Sequence, residues 1–104
     1  MSAIDLREVQ GKATQALHDT EADGGASPVL AAVVREFSNK AAKAMDLVDS
    51  DREWEAVIEL EQAGDSAKAA AEADTGAAEP TKASVLDAHL AICMLKAGYR
   101  QSVS

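Results

Sequence analysis

Ser50-Asp51-Arg52-Glu53-Trp54-Glu55-Ala56-Val57-Ile58-Glu59-Leu60-Glu61 is the stretch on which the reading of the chain turns. Its first four residues have the Ser-x-x-Glu form of a capping box, in which hydroxyl and carboxylate each satisfy an amide that a helix start leaves unpaired. A helix is therefore expected to begin at Ser50. At about 100° per residue, Trp54, Val57, Ile58 and Leu60 share one arc, which places the only tryptophan inside the fold. Glu55, Glu59 and Gln62 lie opposite and are the candidate interaction surface. Glu61 falls on the apolar arc and is the carboxylate expected to be partly buried.

Past Gly64 the pattern turns. Glu61, Asp65, Lys68 and Glu72 take over the arc that was apolar, while Ala63, Ala67, Ala70 and Ala71 form a new packing side. Either one helix runs over about 50–75 with a twisted seam, or it breaks at Gly64 and restarts with Asp65 as a cap. Continuity is the preferred reading.

Upstream, Ser27-Pro28 is a strong helix start, a capping hydroxyl before a proline whose missing amide would have been unpaired anyway. The helix it opens, about 28–48, has the clearest amphipathic pattern. Leu30, Val33, Val34, Phe37, Ala41, Ala44, Met45 and Val48 face one way, and Arg35, Asn39, Lys43 and Asp46 the other. A connection of about two residues makes it an antiparallel neighbour of the helix at Ser50. Before it, Leu6, Val9, Ala13, Ala16, Leu17 and Thr20 form a narrow seam on a first helix of about 4–22, stopped by Asp23-Gly24-Gly25.

Downstream, Gly76 and Pro80 separate the third helix from a fourth at about 80–98. That helix is apolar around most of its circumference, from Val85 to Tyr99, and is expected to be the most buried of the four. A narrow stripe of Lys82, His89, Cys93, Lys96 and Arg100 should complement the acidic third helix. Gly98 is read as its end, with a loose tail at 101–104. A faint similarity at a 34-residue interval, Leu60–Gly64 against Met94–Gly98, is attributed to chance because the flanking positions do not fit a helical repeat.

The fold class expected is all-α, an antiparallel four-helix bundle formed as a single domain by residues 1–104. Twenty-three alanines and only three aromatic residues agree with close-packed helices. The net charge is −8, of which the stretch from Asp46 to Asp65 carries −7, so no nucleic acid or anionic membrane surface is expected as a partner. A lone cysteine and the lack of a long apolar run suggest a cytoplasmic protein.

His89 and Cys93 are four residues apart and could face one metal ion, as weak candidates. Neither they nor His18 bring the glutamate three residues earlier that di-metal bundles use. A histidine on a small helical bundle also resembles histidine phosphotransfer domains, but Leu90-Ala91-Ile92-Cys93 lacks the lysine and glycine usual after their histidine. Glu61 has a structural alternative to any chemical role, an ion pair with Lys96 or Arg100. No nucleophile–base pair, phosphate loop or catalytic signature is present. The function expected is a small acidic protein-interaction module, an adaptor, regulator or chaperone-like protein without a cofactor or catalytic activity. The alternative is a site-bearing bundle, metal-binding or phosphotransferring. Few large apolar residues and broad apolar arcs on the second and fourth helices suggest a homodimer or larger homo-oligomer.

Overall fold

A computed structural model describes residues 3–103, with side-chain surroundings for residues 5–98. The side chains of Tyr99 and Arg100, read above as part of the last helix's arc and stripe, lie outside that range. Four helices follow one another, α1 (Ala3–Ala22), α2 (Pro28–Asp46), α3 (Glu53–Ala73) and α4 (Glu79–Val103). Each packs on its chain neighbour, and α4 closes the ring on α1. With short connections this is the up-down-up-down bundle expected. At about 1.5 Å per residue α4 is about 38 Å long, and it sets the 42 Å long axis of the molecule.

Ser27 caps α2 as its sequence predicts: its backbone is extended and its Oγ accepts from Leu30 N at 3.1 Å, with Pro28 in the first turn. The α2 arc faces the core through Leu30, Val34, Phe37, Ala41 and Ala44. The α1 seam is likewise buried at Leu6, Val9, Ala13, Ala16 and Thr20, whose hydroxyl donates to Ala16 O.

The start of α3 differs from expectation. Ser50 lies in the turn between α2 and α3, where its Oγ donates to Leu47 O and accepts from Arg52 N, and the helix begins at Glu53. The glutamate half of the box survives but reaches back to Asp49 N at 3.1 Å. A tight turn displaces the cap, because Asp49 has φ 66, a left-handed conformation that aspartate adopts more readily than most residues.

Trp54 is a second correction. It is 36% exposed, whereas the buried seam of α3 is Glu53, Ala56, Val57, Leu60, Ala63, Gly64, Ala67 and Ala71. That seam is straight, and the helix is continuous through Gly64. The glycine is there for proximity, since a Cβ would sit 3.2 Å from Ile92 Cγ2 and 3.3 Å from Phe37 Cζ. The apparent rotation came from mistaking the flank carrying Trp54 and Ile58 for the core.

α4 is not the most buried helix: Leu86, Leu90 and Met94 stand in solvent, the last two more than half exposed, while Val85, Ala88 and Ile92 are buried. Nor does it stop at Gly98, since the helix runs to Val103 in place of the expected loose tail.

The two hairpins are versions of one another. Residues 51 apart share burial, as Leu6 does with Val57, Val9 with Leu60, Ala13 with Gly64, Ala16 with Ala67, Val34 with Val85, Phe37 with Ala88 and Ala41 with Ile92. Asp23-Gly24-Gly25-Ala26 and Asp74-Thr75-Gly76-Ala77 stand at the same interval and form a reciprocal clasp. Asp23 Oδ2 accepts from Ala78 N at 2.8 Å, and Asp74 Oδ2 accepts from Ser27 N at 2.8 Å. Each carboxylate also accepts within its own loop, Asp23 from Gly25 N and Asp74 from Gly76 N and Ala77 N. Between them the backbones touch: a Cβ on Gly25 would collide with Gly76 O, and one on Gly76 with Gly25 O. The bundle therefore has an approximate two-fold axis through the clasp.

Candidate functional site

The polar groups singled out from the sequence gather at three places, each set by helix register. Along the α3–α4 contact, Glu61 Oε1 pairs with Lys96 Nζ at 2.6 Å, both side chains largely shielded. One turn on, Asp65 Oδ1 lies 2.8 Å from His89 Nε2. The flank of α3 that carries Glu61 and Asp65 thus meets the basic stripe of α4, the complementarity expected from charge. Glu61 has the structural partner named as its alternative and is partly buried as expected, while Glu53 and Asp74 are the more deeply buried carboxylates.

His89 and Cys93 do sit together, with Cys93 Sγ 3.5 Å from His89 Nε2. A carboxylate only accepts, so Nε2 carries the proton given to Asp65. The ring's lone pair is then on Nδ1, 3.9 Å from Cys93 Sγ. Burial, reinforced by the Glu61 and Asp65 carboxylates, pushes the Cys93 thiol above its ordinary pKa, which keeps it protonated and weakly nucleophilic near neutral pH. Among the described residues no group of three or more His, Cys, Asp or Glu is arranged to hold a metal ion.

The second place is the outer edge of α2 and α3. Glu59 is drawn to Lys40 at 2.9 Å, a hydrogen bond that lowers the pKa of the acid and raises that of the base. Glu55 is open to solvent, with Arg52 3.8 Å away, and Gln62 is exposed. Glu36, Lys40, Glu59, Gln62, Ala63 and Ser66 line a shallow depression of about 210 Å³ here. Of the three residues proposed as an interaction surface, Glu55 and Gln62 face outward freely and Glu59 ties α3 to α2. Exposed Asp46, Asp49 and Asp51 carry the acidity on to the neighbouring turn.

The third place was read from the sequence only as part of a broad apolar arc on the fourth helix. Ala83, Leu86, Leu90, Met94 and Ala97 form an exposed row along the outside of α4. Shifted by 51 residues, four of them correspond to Arg35, Asn39, Lys43 and Asp46, the solvent face of α2. Two equivalent faces of one fold, both exposed, thus carry charged and amide groups on one hairpin and leucine, methionine and alanine on the other. The row was hidden because leucine and methionine on a helix are read as core. The repeated Asp-x-Gly-Ala at Asp23 and Asp74 was the signal that would have aligned the hairpins and revealed the contrast.

No helix is long and apolar enough to cross a membrane, among the described residues. No protein-family model, curated protein or solved structure matches this chain.

Proposed function

We propose that the protein is a small acidic interaction module of the cytoplasm, an adaptor or regulator without catalytic activity of its own, and that the outward face of α4 is its principal contact surface. One observation carries this: the α4 row is apolar where the equivalent face of α2 is polar. Scattered exposed apolar residues need no explanation, but a continuous row at positions that the same fold elsewhere fills with charge marks a surface selected for something other than water. The acidic edge at Glu55, Glu59 and Gln62, with the turn at Asp46 to Asp51, is a second face suited to a basic segment of a partner. The titratable groups elsewhere support the same reading, because Glu61, Asp65, His89 and Lys96 are engaged in holding α3 to α4.

The test is whether the α4 face is covered in the cell. With Cys93→Ser as background, a cysteine at Leu90 is compared with one at Asn39, its counterpart on α2, for alkylation rate in intact cells and in dilute purified protein. Leu90→Cys is expected to be protected in cells and Asn39→Cys not. Equal labelling of the two in cells refutes the contact surface.

A further inference from the structure

The geometry points to a definite occupant: we propose that the outer face of α4 pairs in parallel with the same face of a second copy of this chain. The proposal rests on the α4 face being a contact surface, and adds what covers it.

Spacing comes first. Exposed Ala83, Leu86, Leu90 and Ala97 fall on the alternating a and d positions of a coiled coil, and the d position between the last two is Cys93, half-buried at the α3 edge of the seam. Alanine at both ends lets two helices approach closely, and the two leucines form the centre. Met94 flanks the seam and is 66% exposed, so it has room to lie across a partner helix.

Charge then selects the partner and its direction. The chain carries −8, so two copies repel on most faces, yet α4 holds Lys82, Lys96 and Arg100 against Glu79 and Asp87. Two acidic molecules can therefore meet on α4 without concentrating negative charge; α2 has the same net charge of +1, but its outer face carries Arg35, Asn39, Lys43 and Asp46 in place of an apolar seam. Lys82 precedes the seam on one edge and Asp87 follows it on the other, five residues later, which is the offset that brings g and e positions together across a parallel pair. Antiparallel pairing would instead set like edges against each other, Lys82 and His89 facing Lys96 and His89 of the second copy. Asp87 is already held at 2.8 Å by Lys12, which fixes its position at the rim. A seam with two leucines and a methionine per copy is small beside a standard interface, so the pairing is reversible and concentration-dependent.

The experiment is sedimentation equilibrium of the full chain over roughly a 100-fold range of concentration reaching the high micromolar. The mass is expected to rise towards twice that of the monomer. The variant Leu86→Arg, Leu90→Asn, Met94→Lys transfers to α4 the residues that α2 carries, and is expected to stay monomeric with unchanged helicity and melting temperature. If that triple variant does not fold, Leu90→Asn alone serves the same purpose. In a Cys93→Ser background, Leu86→Cys is expected to form an intermolecular disulfide on mild oxidation, because parallel pairing sets residue 86 against residue 86. A wild-type chain that stays monomeric throughout overturns self-pairing, while the labelling test of Leu90→Cys in cells still reports whether another partner covers the face. A dimer that survives the triple variant overturns the location, and a dimer without the Leu86→Cys crosslink overturns the parallel arrangement.

Discussion

Asp74 shows how much one side chain can carry in a protein with few large apolar residues. It is nearly buried, and its carboxylate accepts from Ser27 N across the clasp and from Gly76 N and Ala77 N in its own loop. The hydrogen bond from Ser27 N, supported by the two from its own loop, holds its pKa below the ordinary value, against the opposing effect of burial. Asp23 is lowered in the same way, first by Ala78 N and then by Gly25 N. A carboxylate with a depressed folded-state pKa contributes stability in full above its unfolded value of about 3.9, and that contribution disappears as pH falls through the lower folded value. The melting temperature is therefore expected to drop steeply below about pH 4. Asp74→Ala should lower it at neutral pH, by more than Asp23→Ala, and should flatten the acid limb. A pH series of thermal melts on the wild type, the two single variants and the Asp23→Ala, Asp74→Ala double variant decides this; an acid limb as steep in the double variant as in the wild type would assign acid sensitivity to other carboxylates.

At the scale of the helix, the legible parts were those in which large residues and packing coincide. Leu30, Val34 and Phe37 on α2, and Leu6 and Val9 on α1, announced their faces because their size and their burial agree. The face of α3 was obscured because its seam is built largely from Ala56, Ala63, Gly64, Ala67 and Ala71, which give little hydrophobic signal, while Trp54 and Ile58 on the flank give a strong one. Such a seam trades side-chain bulk for closeness. Gly64 admits Phe37 and Ile92, so Gly64→Ala sets a helix-propensity gain of about 1 kcal/mol against crowding by a single carbon. It is expected to remain folded with a small net change in either direction. Gly64→Val adds that carbon and two methyl groups beyond it, where the Cβ alone already stands closer than ordinary contact to Ile92 and Phe37, and should destabilise by about 1–3 kcal/mol. Urea titrations of both variants measure the difference; equal stability of Ala and Val at position 64 would show that α3 and α4 are not packed as closely as described. The capping box failed for a different reason. Ser50 and Glu53 have the right chemistry, but a turn as short as Leu47 to Arg52 leaves the serine outside the helix.

The whole molecule is a hairpin repeated once and joined to itself by the turn at Asp49. Neither the repeat nor the apolar row of α4 could be heard above the composition, since equivalent positions hold Phe37 and Ala88, or Arg35 and Leu86, and agree only in burial. Four helices with short connections were nonetheless enough to give the ring order of the bundle. The likeness of the hairpins implies that the α2–α3 turn is dispensable for assembly, because the clasp and both inter-hairpin faces, with Lys12–Asp87 on one and Lys40–Glu59 on the other, hold the halves from two sides. Residues 1–49 and 50–104 expressed together as separate chains are expected to form a helical one-to-one complex, less stable than the intact protein by the lost tether. Recovery of unfolded, unassociated fragments would show that the connection is essential.

The clasp also determines how the molecule would yield to a pulling force. The start of α1 and the end of α4 lie at the end of the bundle remote from it, since the helices alternate in direction and the loops it joins connect α1 to α2 and α3 to α4. Tension applied between the termini would open α1 from α4 like a zipper, one turn after another, each step resisted by a few buried side chains and by Lys12 holding Asp87 midway. The tear would reach Asp23 and Asp74 last. There the two loops meet backbone to backbone and are tied in both directions, so the mechanically strongest point lies farthest from the ends being pulled.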